Sequence, residues 1–145
     1  MQKLRSILLV DDDPIMNFLH QLLLEEMSVF NEVVVKVNGQ QALDFLKAVG
    51  PDPTTSDNGG LPDLILLDIN MPLMDGWETL EALHQQGYDD LIQKRIVMLT
   101  SSRHFRDLKR AKDYDVRAYL EKPLQRETLT ELLKELSTRS VEREQ

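Results

Sequence analysis

Charged and hydroxyl side chains directly follow four of the five apolar runs in this chain. They are Asp11, Asp12 and Asp13 after the first run, Asp68 after the third, Thr100 and Ser101 at the fourth, and Lys122 before Pro123 after the fifth. Carboxylates that share a pocket repel one another and stay ionised only beside a cation. Because their ligand atoms are hard oxygens, the ion that fits is Mg²⁺ or a similar hard cation, in preference to zinc. A carboxylate can also act as a nucleophile that forms an acyl phosphate, with a lysine neutralising the incoming charge.

The apolar runs predict the strands of an alternating α/β fold. Strands are predicted at 6–10, 33–37, 64–67, 95–100 and 117–120, and helices at 14–27, after Asn38-Gly39, after Asp75-Gly76, at about 105–112 and at 128–136. Five strand–helix units predict a doubly wound parallel sheet with helices on both faces. Ligands of such sheets bind at the carboxyl ends of the strands, so we expect the charged residues to meet at that edge.

The first helix is predicted from its start signals and its apolar spacing. Asp13 is a candidate N-cap, and Pro14 suits the first helical turn. The apolar residues recur at helical spacing and predict an amphipathic helix that ends near Met27. These residues are Ile15, Phe18, Leu19, Leu22 and Leu23.

Composition limits the class of protein. The chain has 145 residues, 41% of them apolar, and a formal net charge of -8. We expect one domain at 1–137 and a polar tail at 138–145 that frays. The absence of cysteine excludes disulfides and thiolate metal sites, and the acidic balance disfavours binding to nucleic acid. No signal peptide or membrane span is predicted, so the cytoplasm is the expected location. The Pro- and Gly-containing segment 50–61 is predicted to be a surface loop.

Each of these polar residues, taken alone, has an ordinary structural explanation. An acidic run is usually a helix cap, and a single lysine is usually a surface residue. Their coincidence at four strand ends favours a shared site. The signatures GxxxxGK[ST], GxGxxG and GxSxG are absent, and no histidine pair has zinc-ligand spacing. His20 and His84 are interpreted as helix-surface or packing residues, and only His104 follows a strand.

Four motifs together resemble one family. LLVDDD at 8–13, PDLILLDINMPLMDGWE at 62–78, VMLTSS at 97–102 and AYLEKPL at 118–124 carry the resemblance. The chain resembles the receiver domains of two-component response regulators, specifically the stand-alone, single-domain type, from Ser6 to about Leu136. The resemblance implies a flavodoxin-like fold with strand order 2-1-3-4-5. The loop at 50–61 is longer than is typical of the family, and Lys36 is unusual inside a buried sheet.

The resemblance also implies a role for each matching residue. Asp68 resembles the phosphoacceptor. Asp11 and Asp12 resemble the acidic pair that holds Mg²⁺, Asp13 resembles their neighbour without a metal role, and Asn70 resembles the residue whose backbone carbonyl is a further ligand. Thr100 resembles the switch hydroxyl, Ser101 the small residue beside it and Tyr119 the switch aromatic, whereas Lys122 resembles the lysine that pairs with the phosphoryl group and Pro123 the cis proline that follows it. Nothing in this set is missing from the sequence.

The implied partners are proteins. The phosphoryl donor would be a phosphohistidine of a sensor histidine kinase or a phosphotransfer protein. The output would pass through the surface of the fourth helix, fifth strand and fifth helix, to an unknown target or by homodimerisation. No DNA-binding segment follows the last predicted helix, so the chain is expected to be a signalling switch. Self-phosphorylation and slow self-dephosphorylation are the only chemistry that the family implies.

Two alternatives share parts of this pattern. A haloacid-dehalogenase-like phosphatase also uses an aspartate nucleophile and Mg²⁺, but the second position of its DxD motif is Asn70 here, and a cap-sized insertion is absent. A flavodoxin-like electron carrier shares the fold but needs a phosphate-binding loop, whereas the turn after the first strand is acidic. Turnover of a generic phosphatase substrate would favour the first, and a yellow protein would favour the second.

Overall fold

A computed structural model of the chain describes residues 4–50, 60–101 and 113–143. The strands are β1 (Leu4–Val10), β2 (Phe30–Lys36), β3 (Leu64–Asp68), β4 (Ile96–Thr100) and β5 (Ala118–Glu121). The described helices are α1 (Pro14–Met27), α2 (Gly39–Ala48), α3 (Gly76–Gln85), α4 (Asp89–Arg95) and α5 (Arg126–Arg143).

The five strands form one parallel sheet in the order β2-β1-β3-β4-β5. The predicted fold class and strand order are therefore confirmed. Every residue of β3 and β4 is buried, as expected for strands that helices cover on both faces. Lys36 lies on the edge strand β2, where its Nζ is 5.4 Å from the centre of the Phe45 ring, which explains how the sheet accommodates a lysine.

Alternate residues along the strands feed two hydrophobic clusters, one on each face of the sheet. In β1, Leu8 points to the cluster that includes residues of α2, α3 and α4, whereas Leu9 points to the cluster that includes residues of α1 and α5. Both clusters are made of buried aliphatic side chains, with Trp77 and Phe30 as their fully buried aromatic members among the described residues. The sheet is thus held rigidly from both sides, which fixes where its carboxyl ends lie.

Helix α1 is present where it was predicted, but it leaves four of the five residues of its predicted apolar stripe exposed, and only Leu23 packs, half-buried, against the core. Asp13 caps it, because Asp13 Oδ1 accepts a hydrogen bond from the backbone N–H of Ile15 at 2.9 Å. An amphipathic helix normally packs its apolar residues on the core. Here Ile15 and Phe18 are 69% and 59% exposed, while Asn17 and His20 are buried. Leu24 is the fully buried apolar residue of this helix.

Several strand ends differ from the predicted ones by one to three residues, the most at β2, which begins at Phe30 and not at residue 33. Three further parts of the secondary structure differ from the sequence-based expectation or lie beyond it. Helix α4 was not predicted, because seven residues with charged ends give little periodicity around the buried Leu91 and Ile92. Helix α5 continues to Arg143 instead of ending near residue 136. The helix predicted at 105–112 and most of the loop predicted at 50–61 lie outside the described residues. In the described part of the chain, none of the helices combines the length and hydropathy needed to cross a bilayer.

Candidate functional site

The parallel sheet brings three chain segments to one edge. Asp11 follows β1, Asp68 is the last residue of β3, and Lys122 follows β5. Backbone hydrogen bonds continue the alignment past the strand ends, since Asp11 N donates to Lys36 O at 3.1 Å and Lys122 N donates to Thr100 O at 2.7 Å. The side chains that start from these positions therefore share one pocket.

In that pocket Lys122 lies between two buried carboxylates. Its Nζ is 2.6 Å from Asp11 Oδ2 and 3.0 Å from Asp68 Oδ1, and the three side chains are only 5–8% exposed. Asp12 is exposed, and ligand oxygens of Asp11, Asp12 and Asp68 all lie within 4.8 Å of one another. We call these three aspartates and Lys122 the acidic pocket. The predicted convergence of these four residues is present in the structure.

Burial and mutual repulsion shape the protonation of this pocket. Burial, and then the charge of Asp11, raise the pKa of Asp68 from 3.8 to about 6, although hydrogen bonds from Lys122 and from the backbone of Asn70 oppose the rise. Burial lowers the pKa of Lys122, but its hydrogen bonds to Asp11 and Asp68 outweigh this effect, so its pKa is raised. At neutral pH the lysine is therefore charged and Asp68 is largely ionised.

The acidic pocket fits a divalent hard cation. Three carboxylates against one ammonium leave a formal charge of −2, which one divalent ion would neutralise. All the ligand atoms offered by the carboxylates are oxygens, which Mg²⁺ prefers. Asp12 faces solvent, which suits an ion that keeps part of its water shell. Among the described residues, no other group of three acidic, histidine or cysteine side chains has this geometry.

Backbone N–H groups hydrogen-bond to the two buried carboxylates, those of Asp11 and Asp68. Asp11 Oδ1 accepts from the N–H of Asp13 at 2.9 Å, and the Asn17 side chain donates to the Asp11 carbonyl at 2.8 Å. Asp68 Oδ1 accepts a longer bond, 3.4 Å, from the N–H of Asn70. Behind it Gly76 N donates to Ile69 O at 2.8 Å, which binds the start of α3 to the turn after β3.

The remaining predicted site residues lie around this pocket. Thr100 is buried at the end of β4, and Ser101 is exposed directly after it. Tyr119 pairs with Met98 across β4 and β5 and packs, half-buried, against the cluster under α3. The Lys122–Pro123 peptide bond is cis, as predicted. Asn70 is exposed, and His104 lies outside the described residues.

Two residues of the site's surroundings were not identified from the sequence as site residues. Asn17 and His20 occupy the inner face of α1, three positions apart, and both are buried. Asn17 contacts the backbone of Asp11, and His20 Nε2 accepts from the N–H of Leu124 at 3.0 Å. The available signal was the i, i+3 spacing of two polar residues opposite an apolar stripe, which shows that they share a face but does not show which face points inward.

A second group of acidic side chains lies elsewhere, between α3 and α4. It forms a cleft of about 400 Å³, here called the side cleft, lined by Glu81, His84, Asp89, Ile92, Gln93, Asp113, Tyr114 and Asp115. His84 Nδ1 is 2.5 Å from Asp89 Oδ1, and Tyr114 donates to Glu81 Oε2 at 2.9 Å. The hydrogen bond to Asp89 raises the pKa of His84.

Comparison with known proteins assigns this arrangement to one family. The family model "Response regulator receiver domain" matches residues 7–134. Response regulator Rcp1 of Synechocystis sp. is 33% identical over 118 residues, which cover 81% of this chain and 76% of that protein. The nitrate/nitrite response regulator NarL of Escherichia coli is 31% identical over 132 residues, which cover 91% of this chain but only 54% of NarL.

Solved structures agree with this assignment. A two-component response regulator from Cytophaga hutchinsonii superposes with a TM-score of 0.79 at 29% identity, covering 94% of this chain and 99% of that one. The bacteriophytochrome response regulator AtBRR gives a TM-score of 0.73 at 36% identity, with 93% and 94% covered. The fold, the acidic pocket and these similarities lead to one conclusion: the chain belongs to the response regulator receiver domains of two-component systems, which are signalling switches.

Proposed function

We propose that this chain is a phosphorelay response regulator that accepts a phosphoryl group on Asp68. The observation that carries the proposal is the position of the Lys122 ammonium, 3.0 Å from Asp68 and 2.6 Å from Asp11, beside three clustered carboxylates. An acceptor carboxylate needs positive charge around the phosphoryl oxygens, and this pocket supplies one cation and the ligands for another.

The proposed reaction is a displacement at phosphorus. An Asp68 carboxylate oxygen attacks, a P–O bond forms, and the P–N bond to the donor histidine breaks as the ring nitrogen keeps the electron pair. Among the described residues, both contacts of Asp68 use Oδ1, from Lys122 and from the backbone of Asn70. Oδ2 is therefore the oxygen with room to attack. Water later hydrolyses the acyl phosphate slowly, so the chain acts as a switch and not as a turnover enzyme.

Mg²⁺, when bound, neutralises charge on the phosphoryl oxygens during this transfer. We propose that Asp12 would hold the ion directly and Asp11 through water, and that Asp68 and the backbone carbonyl of Asn70 would be further ligands. The oxygens of Asp11, Asp12 and Asp68, which lie within 4.8 Å of one another, support the carboxylate part of this set. Asn70 is included for its position two residues after Asp68. Lys122 holds Asp68 in place before transfer and pairs with the phosphoryl group afterwards.

The proposed output is a local repacking beside the pocket. Thr100 would turn its hydroxyl towards the phosphoryl group, Ser101 would leave space for that movement, and Tyr119 would follow. The backbone bond between Thr100 O and Lys122 N supports coupling between β4 and the loop after β5. The new charge then biases one of two packings of the surface that includes β5 and α5, together with the helix that the sequence predicts at 105–112. A downstream protein or a second copy of the chain would read that surface; nucleic acid would not.

The phosphoryl donor is proposed to be a sensor histidine kinase or a histidine phosphotransfer protein in the cytoplasm. It would dock on the outer face of α1, where Ile15, Phe18, Leu19 and Leu22 are 42–69% exposed. This apolar patch begins two residues after Asp13 and so adjoins the acidic pocket. An exposed apolar patch next to a reactive group is typical of a protein-binding surface.

The central test is chemical phosphorylation. The wild-type chain, incubated with acetyl phosphate and Mg²⁺, is expected to gain one phosphoryl group by intact mass, and Asp68→Asn is expected to gain none. Asp89→Asn, which changes an exposed carboxylate of the side cleft, is the matched control and should be labelled like the wild type. Labelling that persists in Asp68→Asn would refute the proposed acceptor.

The docking face has a separate test. With any purified histidine kinase that labels the wild-type chain, Phe18→Ser combined with Leu22→Ser is expected to slow transfer about 10-fold or more, because two apolar anchors are lost. Labelling of the same variant by acetyl phosphate should not change, since the pocket is intact. Equal slowing with both donors would show that the substitutions damaged the pocket instead of the docking face.

A further inference from the structure

The inner face of α1 is polar at the point where it passes the acidic pocket. Asn17 and His20 are 6% and 2% exposed, while apolar neighbours on the same helix point into solvent. Burial of polar side chains is unfavourable unless hydrogen bonds replace those to water. A leucine at either position would fill the space without that cost. The presence of two polar residues must therefore be explained by the hydrogen bonds that Asn17 and His20 make.

Asn17 contacts the metal side of the pocket. Its Nδ2 donates to the backbone carbonyl of Asp11 at 2.8 Å, inside the protein. The backbone N–H of Asp11 donates to the carbonyl oxygen of Lys36 on the edge strand. Asn17 thus fixes the peptide from which the Asp11 carboxylate projects, at the junction between β1 and the turn that carries Asp12.

His20 contacts the lysine side of the pocket. Its Nε2 accepts from the N–H of Leu124 at 3.0 Å, a buried bond between residues 104 positions apart in the chain. Leu124 lies two residues after Lys122. Because Nε2 accepts, the ring proton must be on Nδ1 and the ring must be neutral. Burial lowers the pKa of His20 and favours this neutral form, although the charge of Asp11 opposes the effect and that of Lys122 adds to it.

We propose that Asn17 and His20 form a brace with divided roles: Asn17 positions Asp11 for Mg²⁺, and His20 positions the Lys122 loop for the phosphoryl group. The inference rests on the proposed phosphorylation of Asp68 and adds two positioning residues to it. Both act through backbone atoms, and both belong to one rigid helix. Asp11 and Lys122, which come from opposite ends of the chain, are thereby both positioned by helix α1.

The His20 half is tested by His20→Leu and His20→Gln. His20→Leu removes the acceptor, and we expect the rate of labelling by acetyl phosphate at saturating Mg²⁺ to fall about 10-fold, the size typical of groups that orient a metal or catalytic residue. The Kd for Mg²⁺ from calorimetry should change by less than about twofold, since Lys122 is not a ligand. His20→Gln keeps an acceptor near the Nε2 position and should recover most of the rate.

The Asn17 half is tested by the near-isosteric Asn17→Leu, which should show the opposite pattern. We expect the Kd for Mg²⁺ to rise about 10-fold, while the labelling rate returns close to the wild-type value once Mg²⁺ is saturating. Leu24→Ala is the control for loss of stability alone. It opens space in the core one turn beyond His20 and removes no hydrogen bond to the pocket, so it should lower the melting temperature and leave both the Kd and the rate unchanged.

The outcomes separate the brace from the function on which it rests. If the wild-type chain is labelled, the brace is overturned when His20→Leu is labelled as fast as the wild type, or when Leu24→Ala slows labelling as much as His20→Leu does. Either result leaves the proposed function standing. If the wild-type chain gains no phosphoryl group, the proposed function fails. In that case the Mg²⁺ affinities decide alone: the brace requires weaker binding in Asn17→Leu and unchanged binding in His20→Leu, and any other pattern refutes it.

Discussion

The acidic pocket and the side cleft contain similar side chains in different surroundings. Each places aspartates against a basic nitrogen, Lys122 in the pocket and His84 in the cleft. In the pocket the paired side chains are at most 8% exposed, whereas His84 and Asp89 are 56% and 66% exposed. Water screens the second pair but hardly reaches the first.

The difference shows that acidic residues alone do not make a reactive site. The pocket carboxylates start from the ends of parallel strands, which have no freedom to move apart, so burial and repulsion raise the pKa of Asp68 to about 6. In the cleft, the carboxylates of Glu81 and Asp89 start from helices α3 and α4, and Asp89 is 66% exposed to solvent. Three substitutions, each paired with a matched change outside the pocket, test this contrast.

The largest effect is expected for the buried lysine. Lys122→Met removes the only described cation between two buried carboxylates, and we expect the free energy of unfolding in EDTA to fall by about 2–3 kcal/mol, because unpaired buried charges are costly. Lys94→Met breaks an exposed ion pair with Asp90 and should change the free energy of unfolding by less than about 0.5 kcal/mol. Urea titration of both variants measures the difference, and equal losses would contradict the contrast.

A smaller effect is expected for the glycine behind the pocket. A Cβ at Gly76 would lie 2.6 Å from the Asp68 carbonyl oxygen and 2.9 Å from Ile69 Cα, so Gly76→Ala must displace backbone beside the acceptor. We expect a loss of about 2 kcal/mol together with weaker Mg²⁺ binding. Gly87, near the side cleft, has φ of +87° but nothing within 4 Å, so Gly87→Ala should cost about 1 kcal/mol.

For Gly87→Ala, Mg²⁺ binding is expected to be unchanged, since the strain at that position is conformational and local. Urea titration and calorimetry on the two alanine variants separate the steric cause from the conformational one. An unchanged Mg²⁺ affinity in Gly76→Ala would show that the turn after β3 tolerates the displacement.

The smallest change is a gain of stability in Asp68→Asn without Mg²⁺. The folded-state pKa of Asp68, about 6, lies above its ordinary value of 3.8, so the folded protein binds the proton more tightly than the unfolded chain. The favourable contribution of Asp68 to the free energy of unfolding is present below pH 4 and is lost as the pH rises to about 6. We therefore expect Asp68→Asn to be more stable at pH 7 by about 1–2 kcal/mol.

Unfolding of both proteins between pH 4 and 7 in EDTA measures this difference. The wild-type protein should lose stability relative to Asp68→Asn across that range, and Mg²⁺ should restore it. Asp89→Asn is the control. It should keep the wild-type slope between pH 4 and 6, and above that range its slope should differ only because the pKa of His84, which Asp89 raises, becomes lower; NMR titration of His84 checks this change. If the stability of Asp68→Asn fell with pH as steeply as that of the wild-type protein, the pH dependence would belong to another group.

Much of the pocket was predictable because its residues are tied to local patterns. The buried strands are continuous apolar runs, and Asp11, Asp68 and Lys122 follow them directly, so the parallel sheet alone predicts a shared edge. Helix α4 and the continuation of α5 were not predicted. Each is polar or short, and its apolar periodicity is too weak to mark its ends.

The sequence by itself determined the order along the chain of the five strands and of helices α1, α2, α3 and α5, the residue types at the strand ends and the family, because each depends on neighbouring residues or on spacing along the chain. Only the tertiary structure decided that Lys122 lies between Asp11 and Asp68, and that α1 turns Asn17 and His20 inward. Those contacts join residues as far as 104 positions apart. Which side of a helix faces the sheet depends on the packing and the hydrogen bonds available there, and α1 satisfies polar backbone groups of the pocket while leaving most of its apolar stripe exposed.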